Sequence, residues 1–181
     1  MQRLSRQNLV RQIAQEGFSN GSANGPARLF LAVFKPRRTK ALRQLPLGVK
    51  LVDLDSVSDD RGALIAAEWD RHIPFEVRRC FVVFDVPSSE LRGAHAHRNC
   101  HQFLIALGGS VSVQVSDGHR VSDLTLERAN IGLYMPPMTW GTQTNYSPTT
   151  ALLVLASHEY DSSDYIREYA EFVRLSQRLD V

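Results

Sequence analysis

The chain has 181 residues, 43% of them hydrophobic and 22% charged, with 11 Gly and 8 Pro. This is the composition of one globular domain, and it excludes a collagen-like, coiled-coil or wholly disordered chain. No apolar run approaches the roughly 18–20 residues that cross a bilayer, so no membrane span is expected. The net charge of +2 divides unevenly, because residues 1–45 hold nine Lys or Arg against the single acid Glu16, which leaves an acidic body behind a basic leader.

In the leader, Ser5 is placed to cap a short helix with Leu9, Val10 and Ile13 on one face. SNGSANGP (19–26) reads as a flexible linker, Arg28 to Phe34 as a short strand or arm, and KPRRTK (35–40) as a charge cluster. The cluster lacks interleaved aromatic residues, so it reads as a solvated arm and no nucleic-acid partner is expected. We expect residues 1–46 to form a partly disordered basic extension and 47–181 to form the domain. Two cysteines, Cys80 and Cys100, give no disulfide scaffold. With no signal-peptide order at the start, a cytoplasmic location is expected.

From about Leu47 short apolar runs alternate with turns, as in an all-β sandwich or barrel. The runs predict strands over Val49 to Asp53, Leu64 to Glu68, Arg78 to Phe84, Arg92 to His97 and Gln102 to Leu107. Ser110 to Val115, Arg120 to Leu126, Ile131 to Met135 and Ala151 to Ala156 read the same way. Asp117-Gly118 marks a hairpin, since both residues tolerate positive φ. Tyr165, Ile166, Tyr169, Phe172 and Val173 fall at helical spacing behind Ser162 or Ser163, which predicts one closing helix.

The densest chemical signal is Arg92-Gly93-Ala94-His95-Ala96-His97, followed by His101 and Gln102. Residues two apart on a strand share a face, so His95 and His97 stand side by side toward one cavity. As a spacing, Gly93-x-His95-x-His97-x3-His101-x6-Gly108 resembles the first signature of the cupin superfamily, with His101 in the place of the acidic metal ligand. Gly132, Pro136 and Asn145 fit the second signature, with Gly141 where its histidine ligand belongs. This resemblance implies a mainly β, cupin-type double-stranded β-helix, or jelly roll, with the C-terminal helix and the basic leader outside it.

A closer resemblance runs through LVDLDSVSDDRGAL (51–64), IPFEVRR (73–79), VP and RGAHAH (86–97), GLYMPPMTW (132–140) and LASHEYDSSDYIREYAEF (155–172). Together these are similar to the WxcM-like sugar 3,4-ketoisomerases, which act on dTDP-4-keto-6-deoxyhexoses. The chain departs from that pattern in three places. Phe81, Val82, Val83 and Phe84 stand where tyrosines are usual, Gly141 where a histidine follows the tryptophan, and His101 where glutamate is common.

The resemblance implies a homodimeric isomerase of deoxy- and amino-sugar biosynthesis. It would need no metal or other cofactor and would move a carbonyl from C4 to C3 through an enediolate. Imidazole titrates near neutral pH and can both take and return the proton. His97 or His95 is then the base at C3, with the other relaying protons or binding sugar oxygens; the sequence does not order them. Arg92 would hold the enediolate oxygen or the diphosphate, since guanidinium is always charged and forks onto oxyanions. Arg79 and Arg61 are further phosphate or pairing candidates, with Gln102 and Tyr134 completing the substrate set. Tyr134 and Trp140 either stack on thymine or pack the core. Two other readings stay open: a metal-dependent cupin using His95, His97 and His101 for Zn, Fe or Mn, and a sugar-nucleotide-binding cupin without catalysis.

Overall fold

Alternating apolar residues need two faces to bury, and the chain answers with two five-stranded sheets laid face to face. The computed structural model describes residues 45–177. The expectations for the leader up to residue 44, and for the last four residues, lie outside it. In chain order the strands are β1 (Lys50–Asp53), β2 (Asp55–Asp59), β3 (Gly62–Ala66), β4 (Arg79–Phe84), β5 (Arg92–His97) and β6 (Gln102–Gly108). They continue as β7 (Val111–Ser116), β8 (Val121–Leu126), β9 (Ile131–Met135), β10 (Trp140–Thr144), β11 (Ala151–Ala156) and β12 (Tyr165–Ile166), before the helix α1 (Tyr169–Ser176).

One sheet has the order β1-β9-β6-β11-β4 and the other β12-β5-β10-β7-β8, with every strand pairing antiparallel. This is the expected jelly roll. Its interior is filled from both sheets by Leu104, Leu133, Leu152 and Val154 on one side and Val111, Val113, Val115 and Leu126 on the other. The hairpin β2-β3 stands apart as its own sheet. It lies over the outer face of the first sheet, where Leu54, Phe75, Phe103, Ile105 and Tyr134 form a second apolar layer. Strand β6 is therefore buried on both faces, which explains its unbroken run FLIA. On the outer face of the other sheet Ala96, Trp140, Ile166 and Phe172 make a third layer under α1.

The Asp117-Gly118 turn closes β7 onto β8 as expected. Gly118 has φ 93°, and the Asp117 carboxylate accepts hydrogen bonds from the N–H groups of His119, Arg120 and Leu47. Two strands escape the periodicity reading, β2 (DSVSD) and β10 (WGTQT), because both are mostly polar. The closing helix is also shorter than its spacing predicts. Asp161, not a serine, caps a 3-10 turn over Ser162–Asp164, and Tyr165 and Ile166 then pair with His97 and Ala96 as a strand. The apolar spacing at 165–166 serves a strand edge, and only Tyr169–Ser176 is helical. Cys80 is exposed, Cys100 is buried, and both are free thiols. Among the described residues no helix is long and apolar enough to cross a membrane.

Candidate active site

The site is built on β5 where it faces the interior of the barrel. Arg92 pairs with Gln143 and His95 with Gly141, with a bulge between them. The bulge needs positive φ at Gly93 (77°) and Ala94 (53°). A side chain at Gly93 would also lie 2.7 Å from the Gly141 carbonyl oxygen, so glycine alone fits. The extra residue keeps His95 and His97 on the inner face while Ala94 and Ala96 turn outward to α1. Gly141 is opposite His95, and a Cβ there would sit 2.6 Å from the Met135 methyl. The methionine thus fills space that a larger residue at 141 would claim.

The two imidazoles lie edge to face, with centroids 5.0 Å apart. Tyr165 covers both, at 4.8 Å from His95 and 4.4 Å from His97. His97 Nδ1 is 2.8 Å from the Asp164 carboxylate, and its Nε2 is 3.2 Å from the Gln102 side-chain nitrogen. His95 Nδ1 is 3.0 Å from the Gly93 carbonyl oxygen. Burial lowers the His97 pKa to about 4, against the opposing hydrogen bond to Asp164. His95 is lowered too, by burial and then by the Arg167 charge, with its bond to Gly93 opposing. Burial by itself would raise Asp164, but the hydrogen bonds from His97 and from the Asn99 N–H outweigh it and hold the carboxyl below its ordinary value. Both histidines are therefore neutral at pH 7, each with Nδ1 turned to an acceptor.

The structure brings His95, His97 and Gln102 together, with Arg79 near them. Arg79 opens β4 in the same lateral row as Gln102, both paired to Ala156. Its guanidinium lies over the rings of Phe81 and Tyr160, its charge lowers His97, and its Nε is buried with no hydrogen-bond partner. Arg92 is exposed at the start of β5, where its charge acts on Tyr146. That phenol is 2% exposed with an unpartnered hydroxyl, and burial pushes it up to about 12.

Four candidates lie elsewhere. Arg61, at the turn between β2 and β3, forks onto Asp59. Tyr134 and His101 face the outer side of the first sheet, bonded to each other at 2.7 Å beside Phe75. His101 is thus turned away from His95 and His97, and the set of three histidines is not assembled, because His101 and Gln102 are neighbours on opposite faces. Trp140 packs between the second sheet and α1, donating to Thr142. A cleft of about 370 Å3 between Leu47, the β7-β8 turn and Ser176 contains none of the predicted residues.

Asp164, Tyr165 and Arg167 are the residues the sequence reading missed. The string DYIR is plain in the sequence, but read as a helix it conceals the contact that β12 makes with β5.

Fold and site together define a cupin-type jelly roll carrying two neutral imidazoles on one strand, His97 buried and His95 half-buried. The family described as WxcM-like, C-terminal matches residues 47–177, and the chain belongs to that family. It is 36% identical over 132 residues to the TDP-4-oxo-6-deoxy-α-D-glucose 3,4-oxoisomerase of Aneurinibacillus thermoaerophilus, which spans 73% of this chain and 95% of that protein. Among solved structures, the TDP-quinovose 3,4-ketoisomerase of Campylobacter jejuni is 41% identical, with TM-score 0.68, over 71% of this chain and 98% of that one. A sugar 3,4-ketoisomerase of Thermoanaerobacterium thermosaccharolyticum, solved with TDP, is 31% identical, with TM-score 0.73, over 76% and 100%.

Proposed function

We propose that this chain is a sugar-nucleotide 3,4-ketoisomerase that converts a TDP-4-keto-6-deoxyhexose to its 3-keto isomer. The observation that carries the chemistry is the pair of neutral imidazoles 5.0 Å apart, each with Nδ1 anchored so that Nε2 is left as a base. His95 is the more exposed of the two and no described residue caps its Nε2, so it takes the C3 proton and returns it to C4. The C4 carbonyl becomes an enediolate oxygen as the C3 proton leaves. His97 moves the hydroxyl proton of O3 to O4, and the electron pair left on O3 closes the new carbonyl at C3. The Gln102 amide and the Arg79 and Arg167 charges flank the growing negative charge. The buried, unpaired Nε of Arg79 is a donor awaiting an oxyanion. Arg92 is the candidate for the diphosphate.

The catalytic unit in this reading is residues 47–181, with the basic leader dispensable. A sugar-nucleotide substrate supports a cytoplasmic location. A homodimer is supported by β4, an edge strand with Val82 42% and Phe84 62% exposed, which is the kind of edge that a second subunit covers. The test is incubation with TDP-4-keto-6-deoxyglucose, for which a 3-keto product is expected and unchanged substrate would refute the reading.

The lowered histidines set the pH behaviour. The unfolded chain takes up these protons near 6.5, the native His97 only near about 4. The stability that these neutral imidazoles contribute is thus complete above pH 6.5 and lost as pH falls toward 4, whereas the folded protein keeps His97 in its basic form until the pH nears about 4. The denaturation midpoint should begin to fall below pH 6.5, while the kcat/KM profile, which reports the folded enzyme, should hold through pH 6.5 and have its acid limb centred below it. An acid limb centred above 6.5 would contradict the assignment.

A further inference from the structure

Two neighbours, one that accepts a hydrogen bond and one that donates, can fix which nitrogen of an imidazole carries the proton. Asp164 is an ionised carboxylate, so at 2.8 Å it can only accept, and His97 Nδ1 must donate. On the other side, Gln102 offers an N–H to Nε2 at 3.2 Å, which needs a lone pair there. The two contacts agree on one tautomer. Asp164 is itself immobilised. Its second oxygen accepts the Asn99 N–H at 2.7 Å, and its carbonyl oxygen accepts the Arg98 N–H at 2.8 Å. It thereby ties the turn after β5 to the segment leading into β12, and Tyr165 next to it pairs with His97 in the sheet. His97 is 4% exposed, so its ring has little room to turn or to exchange partners with water.

We propose that Asp164 is a positioning residue that holds His97 with its proton on Nδ1, leaving Nε2 toward Gln102 and the barrel interior to receive substrate hydroxyl protons. This rests on the ketoisomerase reading for its catalytic consequence, but not for the tautomer. When His97 takes the O3 proton on Nε2 it becomes an imidazolium facing the carboxylate, and it returns to the same neutral tautomer once O4 is protonated. No proton leaves the pair and none is consumed. Without the carboxylate, the imidazole is free to carry its proton on Nε2, where it has no lone pair to offer O3.

The test uses the full chain with 15N-labelled histidine. In the wild type at pH 7, long-range 1H–15N correlation should show His97 neutral with Nδ1 protonated. In Asp164→Asn, which keeps an acceptor for Asn99 but can present N–H to Nδ1, the proton should move to Nε2. Turnover should fall by about 10²- to 10⁴-fold, with KM changed far less than kcat. Asp164→Glu should keep the wild-type tautomer. A wild-type His97 protonated on Nε2 would overturn the proposal even if Asp164→Asn does not fold. Full turnover in a folded Asp164→Asn would overturn it as well. If the wild type shows the expected tautomer but isomerises no sugar, the ketoisomerase reading fails while the positioning role stands.

Discussion

Replacing His95 by Asn is expected to lower kcat/KM for TDP-4-keto-6-deoxyglucose by about 10²- to 10⁴-fold, the usual contribution of a positioned acid–base group, while the fold stays intact. Asn is close in shape and its amide can still donate to the Gly93 carbonyl oxygen that now receives His95 Nδ1. The bulge at Gly93 and Ala94 and the pairing of position 95 with Gly141 involve only backbone. What the substitution removes is the lone pair on Nε2, and nothing nearby replaces it. His97 lies 5.0 Å away, but its ring is almost fully buried and its Nε2 is committed to the proton passed from O3 to O4. The loss should therefore appear in kcat, with TDP binding close to wild type. Turnover within about tenfold of wild type would show that the proton at C3 goes to another group.

The largest effect on stability is expected at Phe172. The helix α1 has eight residues, too few to be stable alone in water, so its place depends on what it buries. Phe172 is 0% exposed and meets Trp140 at 5.6 Å and Tyr169 at 5.8 Å, over Ala96 and Ile166. Phe172→Ala should cost about 3–5 kcal/mol, the range for emptying a buried aromatic site. Denaturant unfolding should show a lower midpoint. Because Ala96 stands between His95 and His97 and faces this layer, activity should be lost at a lower temperature than in the wild type. A cost below about 1 kcal/mol would mean that the layer under α1 collapses to fill the space.

Much of this arrangement can be read from the residues. Period-two spacing places His95 and His97 together on an inner face, and the run FLIA is a strand because it is buried between two layers. The Asp117-Gly118 turn is legible from its two residues. What stays hidden depends on parity or on tertiary pairing. In β9 (IGLYM) every position is apolar or small, so nothing in the pattern shows that Leu133 and Met135 turn inward and Tyr134 outward. His101 adjoins Gln102 but precedes the strand, and only the sheet places it on the opposite face, bonded to Tyr134. The string DYIREY satisfies helical spacing equally well as a strand pair followed by a helix. Choosing the helix loses the contact of Asp164 with His97, which is 67 residues away in sequence. Polar strands such as WGTQT announce themselves only through their partners, here β5 and β7.

In the proposed reaction this barrel removes the proton at C3 of a 4-keto sugar and returns one to C4. This is tested most directly by following TDP-4-keto-6-deoxyglucose with the protein in deuterated water by NMR. A 3-keto product that appears only with active protein is expected, with loss of the C3 proton signal, and the same sample should be silent with His95→Asn. Substrate that keeps its C3 proton and its 4-keto group in the presence of folded wild-type protein would contradict the proposal.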